Sequence, residues 1–524
     1  MSAELATEPR HVVHHPVYGA GVARMVMGDR VAIDLDTPDE NGRSFGIFDI
    51  SDLTVEDSLP ESTPVPAVEP GPPVSLFTSI PTEQSVNINQ IDKVEDLYAA
   101  FNNRFFVVED FGGKCVVCEE DITDKGLRLV HQSFTDFCNR FSHLQAQVGK
   151  KKIGYGDLWL KYPQRTQYTR VRFSPGQDLG KSVRNLWRGF AVEEVEGDCS
   201  LYLNHLRDNI CKGDSEKFEW LINWMAWKVQ NPGRKSYTAL VLRGGEGIGK
   251  NICFDGFAHL FGPHALLVTR KEHVSGHFNA HLRVCCVLGA NEAFFAGDRQ
   301  HEASLKGLIT DDFFMVEPKG VDPIKEVNRI SLVVISNEEW VVPASAGARR
   351  FTVFDCGDAH AEDTQYFKAI VDQLERGGYE ALLHHLQHVD LSGFDERKAL
   401  KTTALIDQKV QSLRGVESLW FECISRGRLH FTDYGKHFMR ADTLIDWARG
   451  QGNREWKNLS ATALGLLLSM NPRGNNKGMG FTKERVNGNW GWTIPSLREC
   501  RAQWDALRWE YSWDNAESDW ESAI

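Results

Sequence analysis

The sequence predicts a multidomain α/β protein organised around a glycine-rich loop that joins an apolar strand to a helix. Two observations support this fold class. The segment Ser236–Asn251, SYTALVLRGGEGIGKN, places closely spaced glycines directly after an apolar run. The chain has 524 residues, of which 42% are hydrophobic and 25% charged. That balance is ordinary for a globular chain, and the length is enough for several domains.

The composition favours a cytoplasmic protein without a membrane partner. The sequence contains no run of about eighteen apolar residues, and its N-terminus lacks the basic-then-apolar layout of a signal peptide. Eleven cysteines are scattered, many of them in apolar runs, as expected of reduced thiols used as small hydrophobic residues. The net charge of −13 argues against a surface that coats nucleic acid throughout. Any contact with nucleic acid must therefore be local.

Residues 1–57 predict a small β-barrel, because short alternating runs are separated by glycine turns. They resemble the Tudor-like or SH3-like barrels appended to some helicases, which usually bind partners or nucleic acid. Asp34 and Asp36 also fit the hDhD pattern of a primase-polymerase metal site. We favour the interpretation that both aspartates are outward-facing residues of a strand. The segment has no room for the companion histidine or third aspartate motif of such a metal site.

Residues 58–90 predict an extended proline-rich linker, and residues 91–190 an α+β lead-in domain with a basic stretch. Between Arg140 and Arg188 there are eleven Lys or Arg residues and two acidic residues. The aromatic residues interleaved with them are Tyr155, Trp159, Tyr162, Tyr168 and Trp187. The combination suits a surface that stacks bases and follows the backbone of a single strand. The alternative is a solvated face with structural aromatics.

A helical collar is predicted at residues 191–236, and it leads into a nucleotide-binding core at residues 237–356. Loop glycines can aim backbone N–H groups at triphosphate oxygens, and Lys250 can add a positive charge. The predicted ligands are therefore ATP and Mg²⁺, against the alternative of a glycine-rich turn with no ligand. The predicted nucleotide-binding residues are Gly244, Gly245, Glu246, Gly247, Ile248, Gly249, Lys250 and Asn251.

Further catalytic residues are expected after the following strands. The predicted strand Leu282–Leu288 leads to Glu292, placed to act as the general base that polarises the attacking water. The predicted strand Ser331–Ile335 leads to Asn337, whose amide could orient that water. Arg349 and Arg350 follow on a loop and are candidates for an arginine finger on a neighbouring subunit.

The predicted metal site departs from the usual pattern. Asn251 stands where a Ser or Thr hydroxyl normally holds Mg²⁺, and Asn291 where a second acid often helps to organise it. Both amides can still offer oxygen to the ion, directly or through water, but without charge.

These motifs resemble the superfamily 3 helicase module, AAA+ in fold, of phage and viral primase-helicases. The resemblance spans roughly residues 90–500 and is most specific at Asn185–Phe354, where GGEGIGKN, ANEAFFAGD, ISNEEWVVP and ARRF match successive family motifs. It implies a hexameric ring that translocates on single-stranded DNA with ATP hydrolysis. Within Leu305–Arg329 it implies a pore hairpin in which Lys319, with Lys325 second, grips DNA. A barrel stands where members often carry a primase domain, so we do not predict primer synthesis.

The remaining segments predict a helical lid at residues 357–414, a winged-helix-like domain at 415–500 and an acidic, tryptophan-rich tail at 501–524. Lys477, Lys483 and Arg485 lie on or beside the predicted wing. The tail is expected either to dock on the body or to hook a replication partner, a role open also to the barrel.

The predicted function is that of an ATP-dependent hexameric DNA helicase in phage or mobile-element DNA replication, in the cytoplasm of a bacterial host. One alternative is an ATP-binding ring or loader with little hydrolysis. Another is a primase-helicase that works with a partner primase. A third is a primase-polymerase that uses Asp34 and Asp36.

Overall fold

A computed structural model gives the architecture of the chain, which divides into two units, Met1–Val74 and Ser75–Ile524. The residues that the structure describes are 12–15, 19–27, 30–35, 45–49, 54–55, 93–123, 126–275, 279–291, 299–318, 320–344, 348–430, 437–469, 478–514 and 519–522.

The first unit contains a five-stranded antiparallel sheet with the strand order β4-β3-β2-β1-β5. Its strands are β1 (Val12–His15), β2 (Gly19–Met27), β3 (Arg30–Leu35), β4 (Phe45–Asp49) and β5 (Thr54–Val55). The backbone of Asp34 lies in β3, paired with Val22 and Phe45. Asp36 lies outside the described residues.

The second unit begins with an α+β region built on a four-stranded sheet of order β11-β6-β7-β8. Its elements are α1 (Val94–Arg104), β6 (Phe105–Phe111), β7 (Lys114–Thr123), β8 (Gly126–Gln132), α2 (Phe134–Arg140), β9 (Gln145–Val148), β10 (Lys151–Gly154), α3 (Tyr155–Leu160), β11 (Gln167–Tyr168), β12 (Arg170–Arg172) and β13 (Val183–Asn185). Aromatic side chains of α1, α2 and α3, among them Phe101, Phe137 and Trp159, form its core.

The collar consists of α4 (Ser200–Asn204), a π-helical turn (His205–Ile210) and α5 (Ser215–Gln230). Asp214 caps α5 by accepting a hydrogen bond from the Lys217 N–H. At the other end of α5, the buried Lys228 ammonium donates to the carbonyls of Pro232, Arg234 and Arg329 at 2.9, 2.9 and 2.6 Å. These bonds fix the chain just before it enters the central sheet, since a buried cation needs polar partners.

The central sheet is parallel, and its five strands have the order β15-β16-β19-β14-β20. The elements of this region are β14 (Ala239–Arg243), α6 (Lys250–His259), β15 (Ala265–Val268), α7 (Lys271–Ser275), β16 (Val287–Asn291), α8 (Arg299–Thr310), β17 (Phe313–Val316), β18 (Ile324–Val327), β19 (Ser331–Ser336) and β20 (Phe351–Asp355). Short 3₁₀ turns lie at Gly262–His264 and Ala280–Val284.

Both faces of this sheet are covered, as its continuous apolar strands predict. On β14, Leu240 and Leu242 face the core that contains α5 and α6. Ala239 and Val241 face the opposite core, to which α8 and the lid contribute. The strand is thereby held rigidly at the point where it delivers the glycine-rich loop.

The strand predicted at Leu282–Leu288 is shorter than expected. Ala280–Val284 is a 3₁₀ turn, and β16 starts only at Val287. The cause is tertiary: the Arg283 Nε donates to Glu326 Oε1 of β18 at 2.8 Å, and both side chains are buried. This ion pair holds the segment in a turn against the β17–β18 hairpin.

The C-terminal part continues with a lid and a second helical domain. Its elements are α9 (Thr364–Gln373), a π-type turn (Leu374–Gly378), α10 (Tyr379–Gln387), α11 (Thr403–Gln411), α12 (Gly415–Arg426), β21 (Arg428–Leu429), β22 (Phe438–Met439), α13 (Ala441–Gly450), a 3₁₀ turn (Arg454–Trp456), α14 (Ala461–Ser469), β23 (Lys483–Val486), β24 (Asn489–Thr493), α15 (Leu497–Leu507) and β25 (Glu521–Ser522). A hairpin, β23–β24, follows the helices α12, α13 and α14.

The tryptophan-rich tail packs on this domain. Trp504 and Trp509 are buried in its core, and Trp513 and Trp520 lie against it. The Trp520 indole donates to the Pro495 carbonyl at 2.8 Å. Among the residues described, no helix has the length and apolar character needed to cross a membrane.

A buried histidine makes the stability of the second unit depend on pH. The His264 ring accepts from the Arg188 N–H at 3.0 Å, and its other nitrogen faces the Val284 carbonyl at 3.0 Å. Burial lowers the pKa of His264 to about 4. Because the unfolded chain takes up the proton first, the neutral ring stabilises the fold fully above about pH 6.5. That contribution is lost as the pH falls towards 4.

We therefore expect the free energy of unfolding to fall by up to about 1.4 kcal/mol per pH unit over this window through His264. Urea unfolding at pH 7, 6 and 5 measures it, with His264→Gln as the variant that lacks the titrating ring. The variant should show a shallower dependence on pH. Equal slopes in the two proteins would contradict the assignment.

Candidate nucleotide-binding site

The glycine-rich loop lies at the carboxyl edge of the parallel sheet, between the end of β14 at Arg243 and the start of α6 at Lys250. This edge is where open α/β sheets bind ligands. Residues 245–247 at the top of the loop are exposed, whereas Ile248 and Lys250 are buried. The loop thus offers its backbone to solvent while its lysine points inward.

Gly249 cannot be replaced by another residue without disturbing the loop. It precedes α6 with a φ of 85°, a left-handed value that favours glycine. A Cβ atom at this position would lie 2.5 Å from the Phe367 ring and 2.6 Å from the His205 ring. Backbone conformation and close packing therefore both require glycine here.

Lys250 is 6% exposed and is held by oxygen atoms. Its Nζ donates to the Gly244 carbonyl at 2.7 Å, to the Gly245 carbonyl, and to Asn337 Oδ1 at 2.8 Å. Phosphate oxygens could take the place of such acceptors, and the N-terminus of α6 adds a favourable partial charge for an anion.

Asn337 reaches this lysine because β19 lies next to β14 in the sheet. Leu242 pairs with Ile335 and Arg243 with Ser336, so both strands end at the same level. The Asn337 amide also donates to Glu246 Oε1 at 3.3 Å. The tertiary structure thus brings two predicted site residues, 87 positions apart in the sequence, into direct hydrogen-bond contact.

The two predicted metal positions, Asn251 and Asn291, lie at the same edge. Asn291 is the last residue of β16 and pairs with Ile335 of the neighbouring strand. Asn251 is exposed in the first turn of α6. Glu292 lies outside the described residues. The amide oxygens of the two asparagines are donors that Mg²⁺ accepts, but they would bring no negative charge to such an ion.

Arg349 and Arg350 lie at the opposite edge of the sheet. The Arg350 carbonyl accepts from the Ala239 N–H at 2.7 Å, at the amino end of β14. Because β14 and β20 are five residues long, roughly 15 Å separate this edge from the loop. Arg349 is exposed, and the buried Arg350 Nε has no hydrogen-bond partner among the described groups. The structure therefore does not bring the arginines to the loop of their own chain.

The hairpin β17–β18 carries Lys325, opposite Met315. Its Nζ lies 4.2 Å from the centre of the Phe313 ring. Phe313 and Met315 are 48% and 47% exposed. Lys319 lies outside the described residues. The Lys114 ammonium donates to the Gly320 carbonyl at 2.7 Å, so the Gly112–Gly113 turn of the lead-in region abuts the hairpin.

The basic stretch of the lead-in region divides into structural and exposed residues. Tyr155 and Trp159 are buried in the core and cannot stack on bases. Arg184 and Arg188 pair with Glu120. The exposed cations without a described ion-pair partner are Lys150, Lys151, Lys152, Lys161, Arg170, Arg172 and Lys181. The charge excess is therefore largely at the surface, as a nucleic-acid contact needs, but the stacking residues are fewer than the sequence suggests.

Two residues behind the loop were not found from the sequence. The His205 ring, fully buried, lies 3.1 Å from the Gly249 carbonyl and 3.3 Å from the Tyr366 hydroxyl. The Asn209 amide donates to the Ile248 carbonyl at 2.6 Å. Burial lowers the pKa of His205, so the ring stays neutral beside the loop. Both residues lie some forty positions before the loop, without a sequence pattern that links them to it.

A cavity of about 500 Å³ lies beside Gly244, Gly245 and Asn337. Its wall includes Arg243, which pairs with Asp355 at 2.5 Å and with Asp407 at 3.2 Å. The tail and lid contribute to the same wall.

Comparisons with known proteins agree with this architecture. A family of unknown function (DUF5906) matches residues 242–350, a span that contains every predicted catalytic residue. The DNA primase-polymerase of Nitratiruptor phage NrS-1 is 24% identical over 229 residues, which are 41% of this chain and 31% of that protein. The chain thus matches less than a third of the length of this curated relative.

Solved structures of the NrS-1 C-terminal region are similar in fold. The apo structure has a TM-score of 0.50 at 16% identity and covers 77% of this chain and 99% of that one. An A form of the apo region has a TM-score of 0.49 at 15% identity, over 76% and 98% of the two chains. The chain is therefore related to a phage primase-polymerase and shares the mixed α/β fold of its C-terminal region.

Replacing Gly249 with alanine should destabilise the chain without any nucleotide present. The left-handed backbone alone costs an alanine about 1–2 kcal/mol, and the contacts with Phe367 and His205 add to it. Gly245→Ala is the matched control, because a Cβ at Gly245 meets nothing within 4 Å. Thermal unfolding measures both variants. Equal melting temperatures for the two would show that the loop is not held as described.

Proposed function

We propose that this chain is an ATP-dependent hexameric DNA helicase of the superfamily 3 type, AAA+ in fold, that translocates on single-stranded DNA during phage or mobile-element replication. The observation that carries the proposal is the contact of Lys250 with the loop carbonyls and Asn337 at the carboxyl edge of the sheet. The named activity of the phage relative supports a role in DNA replication. Such a role places the protein in the cytoplasm of a bacterial host.

In the proposed site, the exposed loop and Lys250 hold the β and γ phosphates of ATP. The ammonium exchanges carbonyl oxygens of the loop for phosphate oxygens, while its bond to Asn337 keeps it near the γ position. Asn337 then has an amide group close to the scissile bond, where it orients the attacking water. Glu292 follows the end of β16, one strand further on, and accepts the proton of that water.

Mg²⁺, when bound, neutralises phosphate charge during the transfer. Asn251 and Asn291 would hold it through amide oxygens, directly or through water. Neither residue adds a negative charge, so the proposed site relies on the triphosphate itself for most of the attraction.

Arg349 and Arg350 act in this proposal on the nucleotide of a neighbouring subunit. Their position at the amino edge of the sheet, roughly 15 Å from their own loop, supports a role in trans. In the proposed ring, the amino edge of the sheet in one subunit faces the carboxyl edge in the next. Each site then needs two subunits, which couples hydrolysis to assembly.

The proposed DNA contacts lie on the β17–β18 hairpin. Lys319 and Lys325 bind phosphates, and the exposed Phe313 and Met315 beside Lys325 contact bases or sugars. The exposed cations of the lead-in region provide further phosphate contacts in this proposal. On the second hairpin, Trp490 is 58% exposed next to Lys483, which suits a further stacking contact.

A replication protein is proposed to bind the N-terminal sheet rather than the tail, whose tryptophans are packed.

A second candidate function is that of an ATP-binding ring or loader with little hydrolysis. The uncharged Asn251 and Asn291 favour it, because weak metal binding slows phosphoryl transfer more than it weakens nucleotide binding. The name of the phage relative also supports primase activity as a candidate function. That activity would come either from a separate partner or from Asp34 and Asp36 of this chain.

Steady-state ATP hydrolysis and duplex unwinding, with and without single-stranded DNA, separate these functions. The wild type should hydrolyse ATP faster when DNA is present and should unwind a tailed duplex. Lys250→Ala should lose nucleotide binding. Glu292→Gln should keep binding but hydrolyse at least about 100-fold more slowly. Glu375→Gln, an exposed acid on the lid, is the control and should behave as the wild type.

Hydrolysis at the wild-type rate by Glu292→Gln would remove Glu292 as the base. Tight ATP binding with no turnover in the wild type would favour the ring or loader. Primer synthesis that is lost in Asp34→Ala would favour the primase-polymerase.

Mixed assemblies test the shared site. A double variant, Arg349→Ala with Arg350→Ala, and Lys250→Ala should each be nearly inactive alone. When they are mixed, part of the ATPase should return, because an intact loop then meets intact arginines on the next subunit. Native mass spectrometry should establish that mixed rings form. If mixed rings form but recover no ATPase activity, the arginines act within their own subunit and the proposed role in trans is wrong.

A further inference from the structure

Three side chains of metal-binding type converge far from the proposed nucleotide chemistry. They are Glu194, on the extended segment before α4, and His384 and His388, at the C-terminal end of α10. The potential ligand atoms all lie within 4.8 Å of one another. No other group of this kind occurs among the residues whose side chains the structure describes.

The distances suit a tetrahedral ion. His384 Nδ1 lies 3.1 Å and His388 Nδ1 3.3 Å from Glu194 Oε1. Zinc binds nitrogen and carboxylate oxygen at about 2.0–2.2 Å, so ligand atoms at the corners of its tetrahedron are about 3.4 Å apart. The two histidines are four residues apart, the spacing that places both rings on one face of a helix.

The frame that carries these ligands is already fixed. The Val195 N–H donates to the Glu380 carbonyl at 3.4 Å, next to Glu194. A Cβ on Gly197 would lie 3.2 Å from the Ala381 Cβ, which shows how closely the segment approaches α10. Further along, the Gln373 side chain donates to Asp198 at 2.8 Å and accepts from the Leu201 N–H at 2.9 Å. An ion therefore meets ligands that are held in place before it binds.

The site is open to the solvent. The side chains of Glu194, His384 and His388 are 34%, 32% and 61% exposed, so an ion can enter and a water molecule can complete its coordination. The His388 Nδ1 also lies 2.8 Å from the His384 carbonyl, a contact that this nitrogen would exchange for the ion.

We propose that Glu194, His384 and His388 form a zinc site with water as the fourth ligand. The ion fastens the segment before α4 to α10. Helix α10 in turn is tied to α5, because the Gln230 amide donates to the Leu386 and Val389 carbonyls at 3.0 and 2.9 Å. Since α5 leads into the loop strand, zinc stabilises the frame of the nucleotide core and takes no part in its chemistry.

Zinc titration of the full chain, without a histidine tag and after treatment with a chelator, tests this site. Calorimetry should give one high-affinity Zn²⁺ per chain, and thermal unfolding should shift to a higher temperature. Co²⁺ should produce the visible absorption of a tetrahedral site. Glu194→Gln, His384→Ala and His388→Asn should each weaken zinc binding at least about tenfold.

His385→Ala is the matched control, because this exposed histidine lies on the same helix but outside the group. It should bind zinc as the wild type does. The exposed His388 is the variant least able to disturb the fold, so its result decides the matter if the others unfold. Absence of zinc binding, or unchanged binding in His388→Asn, would overturn the proposal and, in the second case, assign the ion to other ligands.

Discussion

The site depends on one buried ammonium group. Lys250 is almost fully removed from water, and a charge in that position is stable only if polar atoms surround it. Two carbonyls of the loop and the amide of Asn337 supply them. The left-handed glycines bend the loop so that its carbonyls face the lysine, and the position of β19 next to β14 brings in the amide. The hydrogen bonds of Lys250 therefore require both this loop conformation and this strand order.

The support behind the loop follows from the same need for rigidity. His205 and Asn209 each bond to a carbonyl of the loop, and Phe367 closes the space beside Gly249. At the other end of the collar, the Lys228 ammonium donates hydrogen bonds to three carbonyls just before β14 begins. The collar therefore holds β14 at its start and the loop at its end. A ligand that binds such a loop loses little free energy to ordering it.

The two edges of the central sheet offer different chemistry. The carboxyl edge carries the loop, Asn291 and Asn337, whereas the amino edge carries Arg349 and Arg350. A single chain cannot bring these edges together, since the sheet is rigid and packed on both faces. If the proposed ring forms, contact between subunits completes each site. The ion pair of Arg283 with Glu326 and the bond from Lys114 hold the β17–β18 hairpin to the body, so its motion would be coupled to that of the core.

The sequence by itself determined the elements whose signal is local. Apolar runs located β14 and β19, and glycine spacing located the loop between β14 and α6. The order of motifs along the chain also gave the candidate residues of the carboxyl edge.

Only the tertiary structure decided how distant segments meet. It placed Asn337 on Lys250 and His205 behind Gly249, turned Ala280–Val284 away from the strand predicted there, and buried Tyr155 and Trp159. It also brought Glu194 to His384 and His388. The physical reason is that periodicity reports which face of an element is apolar but not which partner covers it. Burial, strand order and long-range hydrogen bonds depend on that partner, and therefore on the folded chain as a whole.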